Sequence, residues 1–203
     1  MNRSLQIAVA DDELDMREYF QEMLPLMGHQ VASLASTGRE LVEQCATTPP
    51  DMIITDIKMP DLDGIEAAGR IYRRQPVPVI LVSAYHESKL LERAEASHVL
   101  AYLLKPVRQE DLDAAIRIAM RRFEQLQALH KEANELRQAL EDRKLIERAK
   151  GVLMKQTGLD EQPAFRRLQQ LARRHNRKLV DYARVILLAA EALDLGEGVE
   201  PEA

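Results

Sequence analysis

The chain has 203 residues, 46% of them hydrophobic and 30% charged, a balance that suits a folded globular chain and excludes an intrinsically disordered one. A formal net charge of −5 gives no overall nucleic-acid signature, the 4% aromatic content without Trp argues against a surface built of stacking platforms, and the single Cys45 excludes an internal disulfide framework and fits a reducing compartment. No charged-then-apolar leader opens the sequence and no apolar run is long enough for a bilayer, so a cytoplasmic chain without membrane contact is expected.

In the first half, short apolar runs alternate with helical spacings. LQIAVA (5–10) reads as a buried strand, and LDMREYFQEMLPLMG (14–28) as a helix stopping at Gly28. HQVASLA (29–35) is a second strand, followed by a helix over 38–51 that Pro49-Pro50 closes. MIITD (52–56) is a third strand, 64–76 a helix, 77–84 a fourth strand, 88–96 a helix and 99–106 a fifth strand. Strands alternating with helices predict a parallel sheet covered on both faces, and strands without polar alternation fit that burial. A first domain over 1–121 follows.

The pattern then changes. Apolar residues recur at Leu112, Ile116, Ala119, Phe123 and Leu126, and after one shift of phase at Leu129, Ala133, Leu136 and Leu140. No Gly or Pro interrupts 107–150, so one long helix is expected. Its first part should cover the sheet. The stretch 122–142 is too long for that and reads as a coiled-coil linker that pairs with a second copy. Thr157-Gly158 ends the helix, Asp160 is placed to cap a second helix, and 178–195 forms a third. The second domain thus spans 143–195, and 196–203 is a polar tail expected to be disordered.

Asp11 and Asp12 follow the first strand, and Asp56 ends the third. Ligand sites in such sheets lie at the carboxyl ends of the strands. In the strand order 2-1-3-4-5 these two strands are neighbours, so the three carboxylates converge. Carboxylates that close repel one another unless a cation intervenes, and Mg²⁺, which takes one or two carboxylates, waters and a phosphate oxygen, suits them. Ser83 ends the fourth strand and Lys105 the fifth, placing a hydroxyl and an ammonium beside the acids as donors for a phosphoryl group. Asp56 then reads as a carboxylate nucleophile toward phosphate. Each residue alone has an ordinary explanation as helix cap, turn or solvated surface. Five of them at strand ends do not.

The C-terminal part is locally basic. Arg148, Lys150 and Lys155 lie near the end of the long helix, with Arg166, Arg167, Arg173, Arg174, Arg177 and Lys178 beyond it and few acids between. Phosphate backbones favour such a surface, although solvated helical faces carry similar charge.

Asp11-Asp12, Asp56, Ser83 and Lys105-Pro106, together with KMPDLDGIEA (58–67), resemble the receiver domain of two-component response regulators. The resemblance covers about residues 4–121 and implies a doubly wound, flavodoxin-like sheet. It implies phosphorylation of Asp56 by a sensor histidine kinase, and Mg²⁺ held by Asp12, Asp56 and the backbone carbonyl of Lys58, with Asp11 assisting through water. It makes Ser83 and Tyr102 switch residues, Lys105 the partner of the phosphoryl oxygens, and the Lys105-Pro106 bond cis. His98 departs from the family pattern, in which Gly is usual. AKGVLM (149–154), Gly158, the apolar face Ala164, Leu168, Leu171 and Ala172, and NRKLVDYA (176–183) resemble the ANTAR domain, an RNA-binding antitermination module of three helices. That resemblance implies a homodimer formed on activation that binds tandem hairpins in leader transcripts. It places Lys150 and Gly151 on the helix facing RNA, and Arg173, Arg174, Asn176, Arg177 and Lys178 against loop or phosphate. With so few aromatics, Arg is the expected base reader. The chain is then a regulator, not an enzyme, with any catalysis confined to its own phosphorylation and dephosphorylation. The alternatives are a DNA-binding output, a protein-interaction output, and a hydrolase built on Asp11, Asp12 and Asp56.

Overall fold

The computed structural model describes residues 3–84 and 99–194. The helix expected over 88–96, His98 and the expected tail at 196–203 lie outside them. The chain divides into two compact units, residues 1–128 and 129–203.

The first unit is built from β1 (Gln6–Ala10), α1 (Leu14–Leu26), β2 (Gln30–Ala35), α2 (Gly38–Thr47), β3 (Met52–Asp56), α3 (Gly64–Arg74), β4 (Val79–Ser83), β5 (Val99–Leu104) and the start of α4 (Gln109–Thr157). All four strand pairings are parallel, in the order β2-β1-β3-β4-β5. Every residue of β3 and β4 is buried, which explains why these strands read as unbroken apolar runs. Alternate side chains still part to opposite faces. Ala8, Ile53, Val79 and Leu81 pack with Leu41 of α2 and Ile65, Ala68 and Ile71 of α3. Ile7, Val9, Ile54, Ile80 and Val82 pack with Phe20 and Leu24 of α1 and with Leu112, Ile116 and Ala119 of α4.

Local signals set the helix ends. The Thr37 side chain accepts from the Glu40 amide at 3.1 Å and that of Asp63 from the Glu66 amide at 2.7 Å, each satisfying an otherwise orphaned N-terminal donor. α1 stops at Leu26, two residues before the Gly28 expected from its sequence. Gly28, at φ +83°, sits in a turn closed by His29 N donating to the Leu24 carbonyl at 2.9 Å and Gly28 N to that of Pro25 at 3.0 Å.

The second unit comprises the C-terminal stretch of α4, α5 (Glu161–Arg174) and α6 (Leu179–Asp194). Its core is Ala149 and Leu153 of α4, Ala164 and Leu168 of α5, and Ala183 and Leu187 of α6. Asp160 occupies the N-cap position of α5 with extended backbone, but its side chain makes no cap hydrogen bond. Along α4 the expected apolar seam divides. Leu112, Ile116 and Ala119 are buried, whereas Leu126 is 44% and Leu129, Leu136 and Leu140 are each 60% exposed. Among the described residues, no helix is long and apolar enough to cross a membrane.

Candidate functional site

The carboxyl ends of β1 and β3 bring four carboxylates together. One ligand oxygen from each of Asp11, Asp12, Glu13 and Asp56 falls within 4.8 Å of the others. β1 pairs directly with β3, Ala10 opposite Thr55, so the residues that follow are adjacent by register. Into this cluster β5 delivers Lys105. Its Nζ donates to Glu13 at 2.6 Å and to Asp56 Oδ2 at 3.0 Å, and lies 3.0 Å from Asp11 Oδ2. The Lys105-Pro106 bond is cis, and the Lys105 amide donates to the Ser83 carbonyl at 2.8 Å, tying β5 to β4 at the site.

The loop after β3 wraps the Asp56 carboxylate. Its Oδ1 accepts from the Ile57 amide at 2.5 Å and the Lys58 amide at 3.3 Å, while Oδ2 takes the ammonium. The Thr55 hydroxyl donates to the Asp56 carbonyl at 2.9 Å. Gly64 opens α3 where a Cβ would overlap that same carbonyl oxygen, so a close approach, rather than a positive φ, demands glycine there. On the β1 side, Arg17 Nη1 donates to the Asp11 and Asp12 carbonyls at 2.7 and 3.0 Å and anchors the acidic loop.

Burial and charge oppose each other here. Burial raises the pKa of Asp11 above its ordinary value, against the pull of Lys105 and the Glu13 amide. For Lys105, burial alone would lower the pKa, yet hydrogen bonds to Glu13, Asp11 and Asp56 outweigh it and hold the ammonium above its ordinary value. Four carboxylates lie together with one ammonium among them, and the buried Asp11 Oδ2, 3.0 Å from Lys105 Nζ, has that ammonium as its ion-pair partner but no well-aligned hydrogen bond. Four carboxylates against a single ammonium leave an excess of negative oxygen donors within 4.8 Å of one another, a hard-cation environment, so the donor set fits Mg²⁺.

Of the residues expected at the first site, Asp11, Asp12, Asp56 and Lys105 meet, and the Lys58 amide reaches Asp56. Ser83 closes β4, 2% exposed, one position past the Val82 that pairs with Asp56. Tyr102 lies further back along β5, opposite Leu81, half-buried against the α2–α3 face of the core. The sequence reading missed Glu13, although the run Asp11-Asp12-Glu13 displays it, and missed Arg17, whose role depends on a fold-back of the loop.

The expected basic residues do not form one surface. Lys150 is only 8% exposed, and its ammonium is held by Glu147 and, at 2.7 Å, by Glu161 at the start of α5. Those two carboxylates, Glu147 first, raise the Lys150 pKa, and Lys150 lowers that of Glu161. Arg173, Arg174, Asn176, Arg177 and Lys178 are exposed at the other end of α5, about 20 Å away at 1.5 Å per residue. Arg166 and Arg167 lie between, Lys155 is exposed near the end of α4, and Arg148 sits 4.0 Å from Glu191. Gly151 is exposed within α4, and a Cβ there would meet nothing.

Comparison with known proteins covers both units. A family model described as the response regulator receiver domain matches residues 7–117, and one described as the ANTAR domain matches 134–187. The transcriptional regulatory protein PdtaR of Mycobacterium tuberculosis is 37% identical over 90% of this chain and 89% of its own length. The positive alginate biosynthesis regulatory protein of Pseudomonas aeruginosa is 36% identical over 58% of this chain and 48% of its own. Among solved structures, a response regulator receiver domain protein from Clostridium thermocellum superposes with a TM-score of 0.54 at 30% identity, covering 60% of this chain and 98% of that one.

Proposed function

This chain belongs to the response regulators that carry a receiver domain and an ANTAR domain, and we propose that it is a phosphorylation-gated antiterminator that binds hairpin RNA in leader transcripts. The observation that carries the reading is the Lys105 ammonium within 3.0 Å of Asp56 inside a cluster of four carboxylates, on a chain whose other unit carries a run of exposed cations between α5 and α6.

Asp56 accepts the phosphoryl group. A carboxylate oxygen attacks phosphorus, the bond from phosphorus to the kinase histidine nitrogen breaks, and that nitrogen keeps the electron pair. Asp11, Asp12 and Asp56, with the Lys58 carbonyl, would hold Mg²⁺, which supplies charge neutralisation for the incoming oxygens. Lys105 is already at hydrogen-bond distance and pairs with a phosphoryl oxygen. Ser83 and Tyr102 form the face that responds. The switch works as a local charge event that biases a two-state element. Residues 1–121 are the receiver, 122–142 the pairing helix, 143–195 the output module and 196–203 a tail. The exposed Leu126, Leu129, Leu136 and Leu140 are the seam through which an activated homodimer forms. Two output modules then grip tandem hairpins with Arg148, Lys150, Gly151, Lys155 and the cations from Arg173 to Lys178.

A gel shift tests the whole reading. The chain is titrated, with Mg²⁺ and with or without a beryllofluoride phosphoryl mimic, against a two-hairpin RNA and a duplex DNA of equal charge. Tighter RNA binding in the activated state is the expected result. Preference for the duplex would replace the output with DNA binding, and equal binding unaffected by activation would remove the gate.

A further inference from the structure

We infer that His175, stacked on Tyr182, is a base-stacking platform that receives one unpaired nucleobase of an RNA loop. The inference rests on the RNA-binding reading above and assigns the contact that reads the loop. The rings lie with centroids 5.3 Å and planes 18° apart. Tyr182 is half-buried and packs against the core of the second unit, whereas His175 is exposed. The phenol ring thus lies offset against one face of the imidazole, and the exposed His175 leaves the rest of its ring accessible.

The platform is pre-formed. His175 caps the C-terminus of α5, Asn176 follows in the left-handed region at φ +50°, and two main-chain bonds close the turn. Arg177 N donates to the Ala172 carbonyl at 2.9 Å and Asn176 N to that of Arg173 at 3.0 Å. That pairing locks the backbone under His175, so little freedom is lost when a ligand settles on the ring. The turn is complete without the aromatic contact, and burying an exposed imidazole contributes little to stability. A simple staple does not account for the pair.

The surroundings select the ligand. Arg173, Arg174, Arg177 and Lys178 flank the pair, all exposed, and none has an ion-pair partner among the described residues. Unpaired cations around one open aromatic face suit a single strand, whose phosphates run over the charges while a base stacks on the ring. A duplex keeps its bases stacked inside and offers nothing to an exposed imidazole.

The test uses full-length protein and a hairpin RNA selected for tight binding from a pool with randomised loops. Wild type, H175A and H175F are titrated against that RNA and against versions carrying an abasic nucleotide at each loop position. H175A should bind the intact loop roughly ten- to a hundredfold more weakly, the range of a lost base–aromatic stack. H175F should recover most of the affinity. One abasic position should weaken wild type by a similar factor and H175A no further. The slope of log affinity against log salt should be unchanged in H175A, since no phosphate contact is lost. H175A binding as well as wild type, or losing equally on every abasic loop, overturns the platform while RNA binding stands. Failure of wild type to bind any hairpin in the pool overturns the RNA reading and the platform together.

Discussion

Lys105 and Lys150 have almost the same accessibility, 11% and 10% for their side chains, and each is held by more than one carboxylate. Their partners differ. Around Lys105, Glu13 is 60% exposed, but Asp11 and Asp56 are only 1% and 9% exposed, so these two charges have nowhere else to go. Around Lys150, Glu147 and Glu161 are 54% and 71% exposed and can turn into water. The first cluster keeps an excess of buried negative charge that calls for a second cation. The second is a clasp whose carboxylates can be rehydrated if Lys150 leaves, as the proposed RNA contact requires. One residue type at one degree of burial sits in two different electrostatic settings, decided by what its partners can do when it leaves.

The comparison breaks most sharply at Asp56. Asp56→Asn should abolish phosphoryl incorporation from a small phosphodonor, read as the loss of the phosphate mass increment in Mg²⁺, while retaining the fold. Lys105→Met leaves buried carboxylates without their cation and should cost about 3 kcal/mol in urea unfolding with a chelator present, much of it restored by Mg²⁺. A loss indifferent to Mg²⁺ would mean that the cluster does not take the ion. Lys150→Met should cost clearly less in the same assay, because Glu147 and Glu161 regain water.

Gly151→Ala tests the output end from another side. A Cβ there meets nothing within the chain, so alanine should stabilise α4 by about 1 kcal/mol, the helix-interior penalty of glycine. If RNA approaches that backbone, the more stable variant binds hairpin RNA more weakly. Equal or tighter binding removes Gly151 from the interface.

The smallest effects are in pH, and their signs are opposite. Burial holds Asp11 above its ordinary 3.8, so the folded chain binds that proton more tightly, and stability falls as pH rises from 3.8 to the raised value. Lys150 holds Glu161 below its ordinary 4.5, so its contribution is present above 4.5 and is lost as pH falls through the lowered value. The unfolding free energy of wild type relative to Asp11→Asn should therefore rise on acidification through this range, and relative to Glu161→Gln it should fall.

Much of the first unit was legible because its signals are local. Buried parallel strands read as apolar runs, and each acid marks a strand end. Glu13 stood in plain view, yet an exposed carboxylate after buried Asp11 and exposed Asp12 gains meaning only when Lys105 arrives from the end of β5. Gly64 reads as a turn residue, and only the Asp56 carbonyl packed against it reveals a steric demand. The C-terminal cations were legible as residues but not as a surface. Charge counting cannot see that Lys150 turns toward Glu161, nor that α5 separates it from Arg173. The expectation that Arg reads bases came from an aromatic count, and such a count does not show His175 stacked on Tyr182.

By itself the sequence determined the strand and helix succession, the positions of Asp11, Asp12, Asp56, Ser83 and Lys105 at strand ends, and the length of α4, because periodicity, Gly and Pro act within a few residues. Only the tertiary structure decided that β1 lies beside β3, that three of four clustered carboxylates share one ammonium, that the seam of α4 is buried before residue 120 and open from Leu126 to Leu140, and that an imidazole lies against a phenol ring near unpaired cations. Those outcomes depend on which surfaces meet across long stretches of chain, and on the energetic cost of leaving a charge buried or an apolar face wet.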